Sequence, residues 1–247
     1  MRIFALYNIK GGVGKTAGAV NLSLLAAMDG KRTLLIDLDP QGSASYYFRV
    51  RSSGKFKSKQ LLKGKKIINK GIKESDFENL DVLPSHISYR NLDLKLDKMP
   101  KSKVRLKTIM KTFRKDYDII FIDCPPNITL VSENIFNAAD YLLIPCIPTT
   151  LSMLTLKKLQ RFFSDKKISR KKMMPFFSMA EMRKKLHREM ILNPHVKKLK
   201  FFRSLIPYSS DIERMGLTRE PVLITNKNSA ASKSYINLWN EIKELVE

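Results

Sequence analysis

Lys10-Gly11-Gly12-Val13-Gly14-Lys15-Thr16 follows a short apolar run, Ile3-Phe4-Ala5-Leu6-Tyr7, and precedes an amphipathic segment from Ala17 to Met28. The order reads strand, glycine loop, helix. Glycines leave out the Cβ atoms that would stop successive backbone N–H groups from curling around a phosphate. The helix N-terminus adds the positive end of its dipole. Lys15 is placed to reach β- and γ-phosphates, and the Thr16 hydroxyl to ligate Mg2+. Gly11, Gly12, Val13, Gly14, Lys15, Thr16 and Ala17 are therefore the expected cradle for a nucleoside triphosphate, with ATP and Mg2+ as the expected cofactors.

Working outward, Thr33 to Asp39 reads as a buried parallel strand ending in two acids, Asp37 and Asp39, broken by Pro40-Gln41-Gly42-Ser43. Strand, loop, helix and strand make a βαβ unit, and acids at strand ends face the crevice where open α/β sheets bind ligands. Tyr117 to Asp123 repeats the pattern: apolar residues deliver Asp123 to the same crevice, in the manner of a Walker B aspartate that holds Mg2+ through water. The fold class expected is a doubly wound, mostly parallel sheet with helices on both faces.

The glycine loop departs from the plain P-loop spacing, which needs glycine where this chain has Ile9, and carries a second lysine, Lys10, at its entrance. This deviant form resembles the ParA, MinD and nitrogenase-iron-protein group of dimerising ATPases. The segment LLIDLDPQGSAS is similar to the ParA switch, in which the second aspartate orients the attacking water. The resemblance implies that Asp39 is catalytic together with Lys10 and Lys15, and that Asp37 supports the magnesium shell or the loop. Thr16, Asp39 and Asp123 are the expected metal set. It also implies that Lys10 reaches across a two-fold axis to the partner's ATP. IPYSSDIERMGLTREPV resembles the ParA segment that closes over adenine, which assigns Pro207 and Tyr208 to the base.

The chain has 247 residues, enough for one sizeable domain with a real core. Its 46 basic residues against 23 acidic ones give a net charge of +23, which points to a polyanionic partner, DNA before an anionic membrane. Cys124 and Cys146 lie inside apolar runs and read as core residues. No run reaches membrane-span length. Met1-Arg2-Ile3 enters the first strand directly, so a cytoplasmic, nucleoid-associated protein is expected.

Residues 49–73 hold ten Lys or Arg and no acid, a basic surface excursion carrying a short helix. Later strands are expected at 81–85, 141–145, 173–179 and 201–207, and Thr150 or Ser152 is expected to cap the helix that follows Pro148. From Lys157 to Arg203 basic residues outnumber acidic ones sixteen to three. Within this stretch Arg183, Lys184, Lys185 and Arg188 follow a strand on a loop and helix start, where they meet phosphates without disturbing the core. Many relatives carry a DNA-touching arginine soon after the adenine-side proline. Here the matching position reads Asp211, with Arg214 and Arg219 displaced. No base-reading motif precedes the loop, so binding is expected to ignore sequence. His187 and His195 have no partners at metal-ligand spacing.

The last helix is expected after Asn228-Ser229, with Ala231, Tyr235, Leu238, Trp239, Ile242 and Leu245 on its core face. Glu241, Glu244 and Glu247 make the tail acidic, unlike the basic amphipathic tail of a MinD-like membrane ATPase, the alternative reading. A nitrogenase-iron-protein relative would need two exposed cysteines. A ParA-type partition or positioning ATPase is the reading the residues favour. Its partners would be a second copy of itself, non-specific DNA and a ParB-like or cargo-adaptor protein, with no membrane.

Overall fold

The computed structural model describes residues 1–196 and 198–246 of the chain; the acid expected at Glu247 lies outside them. The glycine loop leaves the end of β1 (Arg2–Leu6), which runs between β5 (Ile119–Asp123) and β6 (Tyr141–Cys146). The seven-stranded sheet is completed by β2 (Thr33–Asp37), β3 (Lys73–Glu74), β4 (Leu80–Leu83) and β7 (Met173–Phe177), in the order β3-β4-β2-β5-β1-β6-β7. Every pair is parallel except the short β3–β4 edge. β2 and β5 are buried at all their residues, as strands covered on both faces must be.

Two apolar layers flank the sheet. One face carries α1 (Lys15–Met28) and the helix Ala230–Val246, which pack on each other and on Phe4, Leu35 and Phe121. Trp239 lies in this layer as expected, its Nε1–H donating to Asp29 Oδ2 at 2.8 Å. The other face carries the helices Leu130–Ala138 and Thr150–Asp165 with Leu92, Leu106 and Ile109. Each Leu, Ile or Phe side chain buried here contributes about 1.5–3 kcal/mol. Because α1 follows β1 on one face and Leu130–Ala138 follows β5 on the other, the connections splay apart above the β1 and β5 ends, opening a crevice there. No helix among the described residues is long and apolar enough to cross a membrane.

Four local expectations change. The segment 201–207 is no strand: it runs beside β7 with Phe202 N–H donating to Pro175 O at 2.9 Å, Ile206 N–H to Phe177 O at 2.8 Å, and a single bridge between Ala180 and Pro207. Pro175 has no N–H to return, so a ladder cannot continue along this edge. The helix after Pro148 is capped by Thr149, whose hydroxyl accepts from Ser152 N–H, one residue ahead of the expected position. The basic segment carries two short helices, Ser58–Leu61 and Lys65–Ile68, and buries Phe56, Leu61, Leu62 and Ile68 in the core. Gly71 permits this, since a Cβ there would lie 2.6 Å from the Phe56 ring. On the last helix Leu245 is 38% exposed, so the core stripe ends at Ile242.

Candidate active site

The entrance of the loop is fixed by a group that the sequence reading missed. Asn8, buried just past β1, donates Nδ2–H to Pro145 O at 2.7 Å, and its Oδ1 accepts Lys10 N–H at 2.9 Å. A lone amide directly after an apolar strand was the available signal. Gly12 and Gly14 hold left-handed φ values of 67° and 91°. α1 begins at Lys15 with no side-chain cap, so its first-turn N–H groups are left for an outside acceptor. A Cβ on Gly14 would stand 2.7 Å from Ser178 Oγ. Gly14→Ala is therefore expected to lower ATP affinity by at least about 100-fold, through backbone strain of about 1–3 kcal/mol and a displaced loop. Calorimetric titration with ATP checks it, and unchanged affinity would show that the loop adapts.

Lys15 is buried, with Nζ donating to Lys10 O at 3.2 Å. Burial pulls its ammonium below the ordinary range, against the opposing pull of Asp123 and Asp39. The Lys10 side chain is exposed and outside the cleft described below, while its backbone is held by Asn8 and Lys15.

Strand register sets Asp37 directly beside Asp123 across β2 and β5, and both are fully buried. Asp37 Oδ2 accepts Ser45 N–H at 2.8 Å and the Ser45 hydroxyl at 2.6 Å. Burial pushes its carboxyl up to about 6, with the Ser45 bonds opposing. Neither oxygen of Asp123 has a well-formed hydrogen bond. Burial holds this carboxyl far above the usual range and Asp37 adds to that; the Thr16 hydroxyl and Lys15 are the neighbours that favour its charge. A buried carboxylate without a partner, next to a hydroxyl at a phosphate cradle, fits a divalent cation. Among the described residues no three His, Cys, Asp or Glu side chains form a metal cluster. The fit is thus to a cation that takes its remaining oxygens from phosphate and water, as Mg2+ does.

Asp39 stands past the end of β2 on the wall of a cleft of about 420 Å3. The same cleft is lined by the loop from Gly11 to Ala17 and, opposite, by Pro207 and Tyr208. Tyr47, Met179, Ile212 and Tyr235 line it too, apolar and aromatic surface that the sequence did not assign. Tyr208 donates its hydroxyl to Glu213 Oε1 at 2.7 Å. The expected cradle, acid and base-side residues thus share one space, with Lys10 outside it, next in the chain to Gly11.

Arg183, Lys184, Lys185 and Arg188 are all exposed at the loop and start of the helix Lys185–Leu192. Three of them are already engaged: Lys184 pairs with Glu181, Lys185 lies 3.9 Å from Glu189, and Arg188 donates to the carbonyls of Met182 and Arg183. His187 is buried, its Nδ1 accepting Glu181 N–H at 3.1 Å. A second basic surface was not singled out from sequence: Lys157, Arg161, Arg170 and His195 line a cleft of about 310 Å3. None of its Lys or Arg makes an ion pair among the described residues. Its signal was the basic excess from Lys157 onward, which sequence could count but not place. Both cysteines are free and buried.

Residues 1–175 match a protein family described as an AAA domain. The sporulation initiation inhibitor protein Soj of Bacillus subtilis is 29% identical over 98% of each chain. The chromosome-partitioning ATPase Soj of Treponema pallidum is 31% identical, over 95% of this chain and 94% of its own. The crystal structure of a plasmid partition protein from Borrelia burgdorferi bound to AMPPNP has a TM-score of 0.83 with 24% identity, covering 98% of each chain, and shares the fold. A glycine cradle with an entrance lysine, acids at the ends of adjacent strands, and this likeness along nearly the full length agree: the chain belongs to the ParA/Soj family of P-loop ATPases.

Proposed function

We propose that the whole chain acts as one ATP-switched unit that binds DNA without sequence preference as a dimer and partitions or positions a cargo. ATP would lie in the cleft, its phosphates on the Gly11–Ala17 loop and Lys15, its base against Pro207 and Tyr208. Mg2+, held by Thr16 and Asp123, would supply charge neutralisation at the phosphates. Asp39 orients the attacking water. Lys10 completes the partner's site, so the charge that develops during phosphoryl transfer meets its last cation only in the pair.

The observation that carries this reading is the contrast between the two lysines. Lys15 is buried in the cradle, whereas Lys10 has a pinned backbone and an exposed side chain outside the cleft. The surplus of +23 favours a polyanion, and pairing doubles each basic face. Two weak surfaces joined rigidly bind far more tightly than one. A ParB-like or cargo-adaptor protein would stimulate hydrolysis and release the dimer.

A mobility-shift titration on two unrelated duplexes at fixed salt tests the switch. ATP, against ADP, is expected to tighten binding at least about tenfold on both, with affinity falling steeply as salt rises. Equal binding with ATP and ADP would overturn it.

A further inference from the structure

Asp39 lies two residues beyond β2, and the last bond to the sheet before it is Leu38 N–H on Asp123 O at 3.0 Å. Among the described residues the Asp39 side chain has one hydrogen-bond partner, Gln41 N–H on Oδ1 at 3.0 Å, within the same loop. Where the carboxylate sits therefore depends on where the backbone of residue 39 is held.

A directed chain of hydrogen bonds holds it. Ser45, in the short helix α2 (Ser43–Tyr47), commits its hydroxyl proton to Asp37 Oδ2. Its oxygen then has only lone pairs to offer, and one accepts Ser85 N–H at 2.9 Å. Ser85, just past β4, turns its own hydroxyl onto the carbonyl oxygen of Asp39. The same carbonyl oxygen takes Gly42 N–H at 2.9 Å. Each hydroxyl has one proton, so the order of donation is fixed from one end to the other.

We propose that Ser85, seated by Ser45, is a positioning residue for hydrolysis: it locks the Asp39 backbone to the ends of β4 and β2, and so aims the carboxylate at the cleft. This rests on the reading of Asp39 as the water-orienting acid. The Gly42 bond closes a local turn and moves with the loop, whereas the Ser85 bond spans 46 residues of sequence to a different strand. Losing it leaves the turn intact but tied to the sheet only through Leu38 on its N-terminal side, so the Asp39 carboxylate can shift. A shift of about 1 Å in a reacting group costs up to about 100-fold in rate.

Ser85→Ala, Ser85→Thr and Asp39→Ala are compared in steady-state and single-turnover ATP hydrolysis, with AMPPNP affinity measured by calorimetry. Ser85 borders an open cleft of about 320 Å3, so the threonine methyl has room. Ser85→Ala is expected to lower kcat about tenfold while AMPPNP affinity stays within about twofold, and Ser85→Thr to recover most of the rate. In an Asp39→Ala background the serine change should add nothing. An unaltered kcat in Ser85→Ala, with Asp39→Ala inactive, overturns the positioning role alone. So does a rate loss that threonine does not restore and that AMPPNP affinity follows, the mark of a structural role, or a further loss in the Asp39→Ala background. Full hydrolysis by Asp39→Ala overturns the reading of Asp39, and the positioning role with it.

Discussion

Lys10→Ala is expected to bind ATP with affinity within about threefold of the parent but to stay monomeric, to shift DNA no longer, and to hydrolyse ATP about 10²–10³-fold more slowly. The selectivity of this outcome follows from how residue 10 is held. Its N–H goes to Asn8 Oδ1 and its carbonyl accepts from Lys15 Nζ, bonds that alanine keeps. Its side chain is exposed and has no protein partner among the described residues, so truncation should cost within about 0.5 kcal/mol of stability. A loss in pairing then reports a contact made only with a second copy. Light scattering after size exclusion, with and without AMPPNP, reads the pairing, and a mobility shift reads the DNA. A Lys10→Ala protein that still pairs and coats DNA would remove the basis of the dimer reading.

The two basic surfaces divide differently from what the sequence implied. At 183–188 most of the cations are engaged by Glu181, Glu189 and local carbonyls, and phosphate would have to compete with these. Exposed pairs are weak, about 0–1 kcal/mol, so this lowers the surface's contribution without abolishing it. Lys157, Arg161 and Arg170 face a common cleft with no carboxylate to displace. On the proposed reading, DNA binding by a dimer would draw on both surfaces, and the unpaired one would have the smaller cost of entry.

What could be read in the chain alone depended on how local the cause was. The loop from Lys10 to Thr16 and the strands that end near Asp37 and Asp123 were legible because glycine placement and buried apolar runs act within a few residues. The absence of a strand at 201–207 was not, because its cause sits in another segment, at Pro175 on the facing edge. Residues 49–73 read as a basic surface excursion with a short helix because basic residues dominate by count. Only the fold shows Phe56 slotting over Gly71, and Arg49 and Lys65 meeting Asp76, Glu220 and Asp116. The same distance problem hid Asn8, whose amide matters only because β6 returns beside it. It also hid Ser85, forty residues from Ser45, to which its N–H is bonded.

Asp39→Ala is expected to lock the switch on: ATP hydrolysis should fall about 10²–10⁴-fold while AMPPNP-type binding, pairing and DNA retention persist. The three acids near the cradle cannot exchange roles. Asp37 and Asp123 are fully buried, and burial holds both carboxyls above their ordinary range. Asp37 is in addition committed to Ser45. Only Asp39 lines the cleft, part-exposed, with its second carboxylate oxygen unengaged among the described residues and open to a water. Environment thus suits the two acids to the different roles proposed for them, Asp123 holding a cation and Asp39 orienting water. The substitution should leave the loop in place, because the carbonyl of residue 39 keeps its bonds from Gly42 and Ser85, neither of which involves the side chain. The variant should therefore retain DNA after a chase with excess ADP for at least about 100 times longer than the parent, which hydrolyses and lets go. Equal release by the two proteins would mean that hydrolysis does not govern the DNA-bound state. Undiminished hydrolysis would mean that another group orients the water.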